Sequence, residues 1–434
     1  MGFAVMLQAV QRKGWCIVNN FRPVSAWRSG YSGGANPLEA MMQLQATAAR
    51  NPWQALQKAH TLSQESGAAV ADRFESSQQP EAFIQQWGGA SIHRPIEFTP
   101  LSAQPPRPAE RIDSVKEVLS VEDCWNMGIT GKGVTVAVID TGVAPHPDLG
   151  DRYKEFKDFC GSEDGIENAY DDNGHGSHCA GLVAGDGTKA GGRFKGPAYE
   201  ADIVGVKVLG GSGGGSLSSI ERGIRWCIAN KDRLGIKILS MSLGANANLH
   251  EKHDVIAQAV NDAIKAGLLP VIAAGNSGPG IETVGTPAIT KDALTVGAYD
   301  DKNTATHADD TMAFFSSRGP TTRDRLVKPD IAAPGVNMVS LLSPNSELQD
   351  ADVTKMPPYY VLLSGTSMAT PVVAGCAALV MQANPDLTPA QVKQILIETS
   401  ETMIDTPGIL GGAGLVDPAA AVRKALEMKK EQQG

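Results

Sequence analysis

Val134-Thr-Val-Ala-Val-Ile139 runs directly into Asp140-Thr-Gly142. An uncharged, largely β-branched run of this kind suits a strand buried on both faces, since it has no solvent side to mark with polar residues. Similar runs occupy residues 203–209, 236–241, 268–274 and 294–296. Helical spacing of apolar residues separates or follows them at 216–230, 253–266, 389–398 and 418–428. Strands alternating with helices predict an α/β fold of three layers, with a mostly parallel central sheet covered by helices on both faces. In such folds sites gather at the carboxyl ends of the strands.

Asp140 stands at such an end, and a carboxylate there is costly to desolvate unless something holds it ionised. The plainer reading is a cap on the turn. Next comes Asp171-Asp-Asn-Gly-His-Gly-Ser-His-Cys-Ala-Gly181, in which Gly174 and Gly176 let the backbone pack closely around His175 at a helix start. His175 and His178, three apart and close to Asp171 and Asp172, also fit a metal-ligand pattern, and His175 fits a hydrogen-bonded core histidine. Cys179 lies one turn beyond His175 on the same face, poorly aimed for proton transfer, so it reads as a small packed residue rather than a nucleophile. Leu269-Pro-Val-Ile-Ala-Ala-Gly-Asn276 is a buried strand running into an amide. Asn276 either caps a turn or donates N–H to an oxygen that becomes charged as a carbonyl is attacked.

Leu363-Ser-Gly-Thr-Ser-Met-Ala-Thr-Pro371 joins a glycine turn and hydroxyl residues to a helical apolar run through Val372, Val373, Cys376, Leu379, Val380 and Met381. Ser367 therefore sits near a helix start, where unpaired N–H groups and the helix dipole favour negative charge. Pro371 supplies no N–H and leaves the carbonyl of Ser367 without its usual helical partner, which a plain cap does not call for. Asp140, His175 and Ser367 in that order, with Asn276 before the serine, make a complete set for acyl transfer. Ser367 attacks, His175 takes and returns the proton, and Asp140 orients the imidazole and stabilises its charged form.

With 434 residues, 42% hydrophobic and 20% charged, the chain has material for one large domain and a smaller one. A formal net charge of −9 gives no electrostatic reason to bind nucleic acid or an anionic membrane. Cysteines at 16, 124, 160, 179, 227 and 376 include no Cys-x-x-Cys pair, so free thiols are expected rather than a zinc ribbon or disulfide framework. The apolar run 3–10 is interrupted by Gln8 and followed by Gln11-Arg12-Lys13, the wrong side for a secretory signal. No spanning helix is expected either. The resulting expectation is a cytoplasmic protein, with export by a non-standard route as the alternative. A monomer is expected. A helical pattern starts at Asn51-Pro-Trp53, residues 90–98 read as extended, and Pro100, Pro105, Pro106 and Pro108 mark a linker.

Asp140-Thr-Gly142, His175-Gly-Ser-His-Cys-Ala-Gly181, Ala274-Gly-Asn276-Ser-Gly278 and Gly365-Thr-Ser367-Met-Ala-Thr-Pro371 resemble the signature segments of the subtilisin-like serine proteases, the subtilases. Gly412-Ala-Gly-Leu-Val-Asp-Pro418 extends the resemblance toward the C-terminus. Cys179 after His-Gly-Ser-His, Phe315-Ser-Ser-Arg-Gly-Pro320 and Lys328-Pro-Asp-Ile-Ala-Ala-Pro-Gly335 look closest to the AprX-like bacterial branch, regarded as intracellular.

The resemblance implies a subtilisin-like fold and a serine endopeptidase with Asp140, His175 and Ser367 as triad and Asn276 as oxyanion donor. It places a peptide substrate as an added strand between Gly213-Gly214-Gly215 and Ser242-Leu243-Gly244. Leu217 would then face the pocket four residues before the cut. Ala273, Ala274 and Gly285 would line a roomy primary pocket, giving broad specificity with large apolar residues before the scissile bond. No cofactor is implied for catalysis. Structural calcium is common in the family. His146-Pro-Asp148 resembles a segment that supplies one ligand, whereas 185–192 lacks the usual Asn-rich ligand loop. The resemblance also implies a precursor, with residues 1–101 as propeptide and intramolecular inhibitor and 102–434 as the peptidase. Phe98 and Leu101 suit the two pockets for a self-cut at Leu101-Ser102. The opening 45 residues do not match the usual small propeptide pattern.

Overall fold

The structure, a computed structural model, describes residues 114–433 apart from 248, 347, 349–357 and 404–406. The expected linker, the extended segment at 90–98, the helix from Asn51 and the division after residue 101 lie outside the described residues. In chain order the first elements are α1 (Glu122–Asn126), β1 (Thr135–Asp140), β2 (Tyr153–Asp158), α2 (His175–Ala184), β3 (Asp202–Lys207) and α3 (Leu217–Leu234). There follow β4 (Ile236–Met241), α4 (Val255–Lys265), β5 (Leu269–Ala273), β6 (Leu294–Asp300), β7 (Thr311–Met312), β8 (Ile331–Pro334) and β9 (Met338–Leu341). The last are β10 (Tyr360–Leu363), α5 (Thr366–Ala383), α6 (Pro389–Glu398), α7 (Gly408–Gly411) and α8 (Pro418–Gln433).

Strands β2-β3-β1-β4-β5-β6-β7 form the sheet in that order, with β8 also paired to β6. Every pairing in it is parallel except that of β6 with the short β7. Side chains of the central strand β1 alternate between two cores. Val136 and Val138 join the core that holds α2, α5, α6 and α8. Ala137 and Ile139 join the one that holds α3 and α4. The three-layer α/β architecture expected from the apolar runs is the one observed.

Local signals set the helix ends. Ser216 precedes α3 and accepts the N–H of Ser219 in a capping box, and Gly235 closes the helix in a left-handed conformation. Asp254 caps α4 through the N–H groups of Ile256 and Ala257. Thr388 and Gln391 form a second box before α6, with Pro389 at the first helical position. Helix α5 has the length and apolar composition of a membrane-crossing helix, a likeness the sequence reading did not single out. Its most apolar window is 94% buried within the protein, which identifies it as the central core helix.

A buried ion cluster fixes the loop leading into β6. The Lys328 ammonium donates to the carbonyls of Lys291 (3.2 Å) and Ala293 (2.9 Å) and to Asp330 Oδ2 (2.7 Å). Lys393, from α6, donates to the same two carbonyls at 3.0 and 2.8 Å and lies 3.2 Å from Asp330 Oδ1. Burial pushes Lys328 down to about 8, with Asp330 opposing the shift.

Candidate active site

Asp140 ends β1 fully buried, and its Oδ1 accepts the N–H of Thr141 (2.7 Å) and meets His175 Nδ1 at 2.6 Å. A carboxylate can only accept in such a bond, so Nδ1 carries the proton and Nε2 is left as the basic nitrogen of neutral His175. Burial alone would push the imidazole down. The charge and hydrogen bond of Asp140 outweigh it and hold His175 well above its ordinary value.

The position of His175 depends on two devices. Gly176 packs so close that a Cβ there would lie 2.0 Å from the carbonyl of Gly142, the residue two beyond Asp140. Asp171 accepts from Thr141 Oγ1 (2.9 Å), from the N–H groups of Gly174 and Ser177, and from Ser177 Oγ (all 2.8 Å). It thereby joins the end of β1 to the first turn of α2, whose unpaired N–H groups welcome an anion.

Ser367 is the second residue of α5 and is buried; its hydroxyl donates to the carbonyl of Ser242 (3.2 Å). Asn276 Oδ1 accepts both the N–H and the hydroxyl of Thr366, each at 2.9 Å. Because a backbone N–H must donate, this fixes which end of the amide is oxygen and directs Nδ2 elsewhere. A Cβ added to Gly365 would lie 3.4 Å from Asn276 Nδ2 and 3.6 Å from the backbone nitrogen of Ser367. Two N–H groups therefore border the small space beside Gly365.

The metal pattern read from the sequence does not assemble. His178 turns its Nε2 to the carbonyls of Met338 and Val361, both at 3.2 Å. Burial, reinforced by the charge of His175, lowers it to about 3. Among the described residues, the cluster close enough to hold an ion is Asp140, His175 and Cys179, which is the same Asp140–His175 pair. Cys179 Sγ lies 3.9 Å from His175 Nδ1 and 3.5 Å from the carbonyl of Ser367, fully buried, and burial pushes its thiol up.

Calcium does not fit at Asp148. Its Oδ1 accepts the N–H of Lys189 (2.9 Å) and its Oδ2 the hydroxyl of Tyr360 (2.6 Å). Its carbonyl accepts from Asp186 N and from Arg152, whose guanidinium also reaches the carbonyls of Ala184 and Ala201. The oxygens an ion would need already have donors.

A cleft pocket opens between the segments 213–215 and 242–244. It is lined by Gly213, Gly215, Leu217, Leu243 and Gly244 from the sequence reading. Leu209, Ile220, Ala245, Ile256, Thr286 and Pro287 complete it. Gly214 joins the loop by receiving the N–H of Gly210 at its carbonyl (2.8 Å). Ala273, Ala274 and Gly285 do not line this pocket. Ala273 and Ala274 are buried at the end of β5, and Gly285 donates its N–H to the carbonyl of Ala274 (3.1 Å). Of the additional lining residues, Leu209, Ile220 and Ala245 flank the segments read from the sequence, whereas Ile256, Thr286 and Pro287 come from parts of the chain that the fold brings to them.

The sequence profile of the Subtilase family matches residues 131–424. Serine protease AprX of Bacillus subtilis is 48% identical over 319 residues, covering 72% of this chain and 71% of the relative. Subtilisin Savinase of Lederbergia lenta is 39% identical over 298 residues, 69% of this chain and 94% of the relative. Among solved structures, Sphericase is similar with a TM-score of 0.58 at 32% identity, over 70% of this chain and 96% of that one. With the family profile spanning the sheet, the strand ends and helix α5 alike, this chain belongs to the subtilase family and is a subtilisin-like serine protease.

Proposed function

We propose that Ser367 is the nucleophile of an endopeptidase, with His175 as general base and then acid, Asp140 as its orienting carboxylate and Asn276 as oxyanion donor. The observation that carries this reading is the 2.6 Å bond between Asp140 and His175 Nδ1, which leaves Nε2 as the basic atom. As Ser367 Oγ attacks the peptide carbonyl, its proton passes to Nε2. The oxygen that becomes negative enters the space beside Gly365 and takes N–H bonds from Asn276 Nδ2 and the backbone of Ser367. His175 then gives its proton to the departing amine. Water, deprotonated by the same nitrogen, hydrolyses the acyl-enzyme and restores Ser367.

The substrate lies extended along 213–215 and 242–244, held by backbone bonds that ignore side-chain identity. The apolar pocket at Leu217 supports a preference for large apolar residues four positions before the cut. Ala273, Ala274 and Gly285, all small, support a primary pocket for large apolar residues. Phe98 and Leu101 have the chemistry these pockets accept, which supports release of residues 1–101 by self-cleavage and their action as inhibitor.

The test is to follow the full-length chain and Ser367→Ala by intact mass, with a chromogenic peptide carrying Phe before the leaving group. Only the unsubstituted chain should shed residues 1–101 and turn over the peptide. Equal turnover by Ser367→Ala would overturn the assignment of the nucleophile. Peptide turnover without shedding would overturn self-processing alone.

A further inference from the structure

We infer that the hydroxyl of Ser242 is a positioning group for Ser367, acting on the carbonyl that Pro371 leaves without a helical donor. The inference rests on Ser367 being the nucleophile. Residue 371 would normally donate to that carbonyl across one turn of α5, and proline has no N–H to give. Bulk solvent scarcely reaches the carbonyl, since Ser367 is only 2% exposed. Ser242 Oγ donates to the carbonyl instead at 2.7 Å, and the Cys179 thiol approaches the same oxygen at 3.5 Å. A buried carbonyl stripped of these donors would be pressed to rotate toward another partner, taking the nucleophile with it.

The two serines are tied reciprocally, because Ser367 Oγ donates to the carbonyl of Ser242 (3.2 Å). That second bond must break when the Ser367 proton moves to His175. The bond from Ser242 Oγ to the Ser367 carbonyl involves no reacting atom and persists through the reaction. It joins the end of β4, where the substrate lies, to the first turn of α5, where the attacking oxygen stands. It therefore sets the distance between nucleophile and scissile carbonyl without touching either, and small errors in that distance are costly in rate.

Ser242→Ala, Ser242→Thr and Ser242→Cys are compared with the unsubstituted full chain for kcat and KM on the Phe peptide. Thermal midpoint and the rate of labelling by a serine-directed phosphonate are measured on the same samples. Ser242→Ala should lower kcat and the labelling rate together by about ten- to a hundredfold, with KM within about twofold. Ser242→Thr, which keeps the hydroxyl, should recover most of the loss, and the weaker thiol donor of Ser242→Cys should fall between. The acid limb of the pH profile should stay in place, since the Asp140–His175 bond is untouched. Unchanged kcat and labelling in Ser242→Ala would overturn the inference, as would a rise in KM with kcat intact. If Ser242→Ala does not fold, Ser242→Cys decides between the same two outcomes. Labelling of a residue other than Ser367 would instead overturn the nucleophile assignment itself.

Discussion

Asn276→Asp isolates the proposed oxyanion donor from its anchorage. In the structure Asn276 Oδ1 accepts two bonds from Thr366, while Nδ2 borders the space beside Gly365. A carboxylate can still accept both Thr366 bonds, so the backbone of the α5 entry is retained. What disappears is the N–H, replaced by an acceptor facing the developing negative charge. One such donor is worth about 3 kcal/mol in the transition state, a magnitude taken from the subtilisin family itself rather than from this structure. At about 1.4 kcal/mol per decade this is a loss of about a hundredfold in kcat, and repulsion can only enlarge it. Because the donor acts on the transition state alone, KM should hold within about twofold. The assay is steady-state hydrolysis of the Phe peptide, with the thermal midpoint measured alongside to confirm folding. A folded Asn276→Asp with kcat within about threefold of the parent would refute the oxyanion role, as would a loss confined to KM.

Gly365→Ala tests the same space from the other side. Its φ is extended and its nearest neighbours are 3.4 Å away, so it should fold normally while its methyl displaces the oxyanion and lowers kcat. With His175 as the proposed general base, catalysis requires it neutral, so kcat/KM should rise with pH along a limb displaced above the ordinary histidine value, and Asp140→Asn should move that limb to lower pH. At His307 the hydrogen bond that the ring donates to the Asp310 carboxylate raises the imidazole despite its partial burial. A folded value above the unfolded one stabilises fully below about pH 6.5, and the gain disappears as pH rises through the raised value. His307→Gln should thus lower the urea midpoint at pH 5.5 and have much less effect at pH 8.5. Tyr360→Phe should destabilise the protein by about 1–3 kcal/mol by removing a donor from buried Asp148, and added calcium should not restore the loss.

The central strands were legible because burial on both faces leaves an apolar run that needs no partner to interpret. β2 was not. Its sequence, Tyr-Lys-Glu-Phe-Lys-Asp, is that of a sheet edge, and only Tyr153, Phe156 and Asp158 are buried. β8 escaped because Ile-Ala-Ala-Pro has little strand propensity, and pairing to β6 and burial decide its conformation. At the site, the residues that carry the proposed chemistry were readable from their positions at strand ends and a helix start. Their supports were not. Asp171 suggested a metal ligand, yet its carboxylate clamps the first turn of α2. Thr366 gave no sign that it would orient an amide ninety residues away. Such roles depend on register between elements, which composition and spacing do not encode.

The paired lysines beside β6 have a further consequence. Two carbonyls of the loop before β6, with the carboxylate of Asp330 just before β8, are oxygens of the kind a hard metal ion takes, and here covalently attached ammonium groups satisfy them. A dissolved ion would occupy such a cage according to its concentration outside. An ammonium on the same chain has an effective concentration fixed by its tether, unaffected by dilution or by a chelator. The same connection between β5 and β6 carries Thr286 and Pro287 into the cleft pocket. That wall of the cleft is held by a counter-charge that cannot diffuse away.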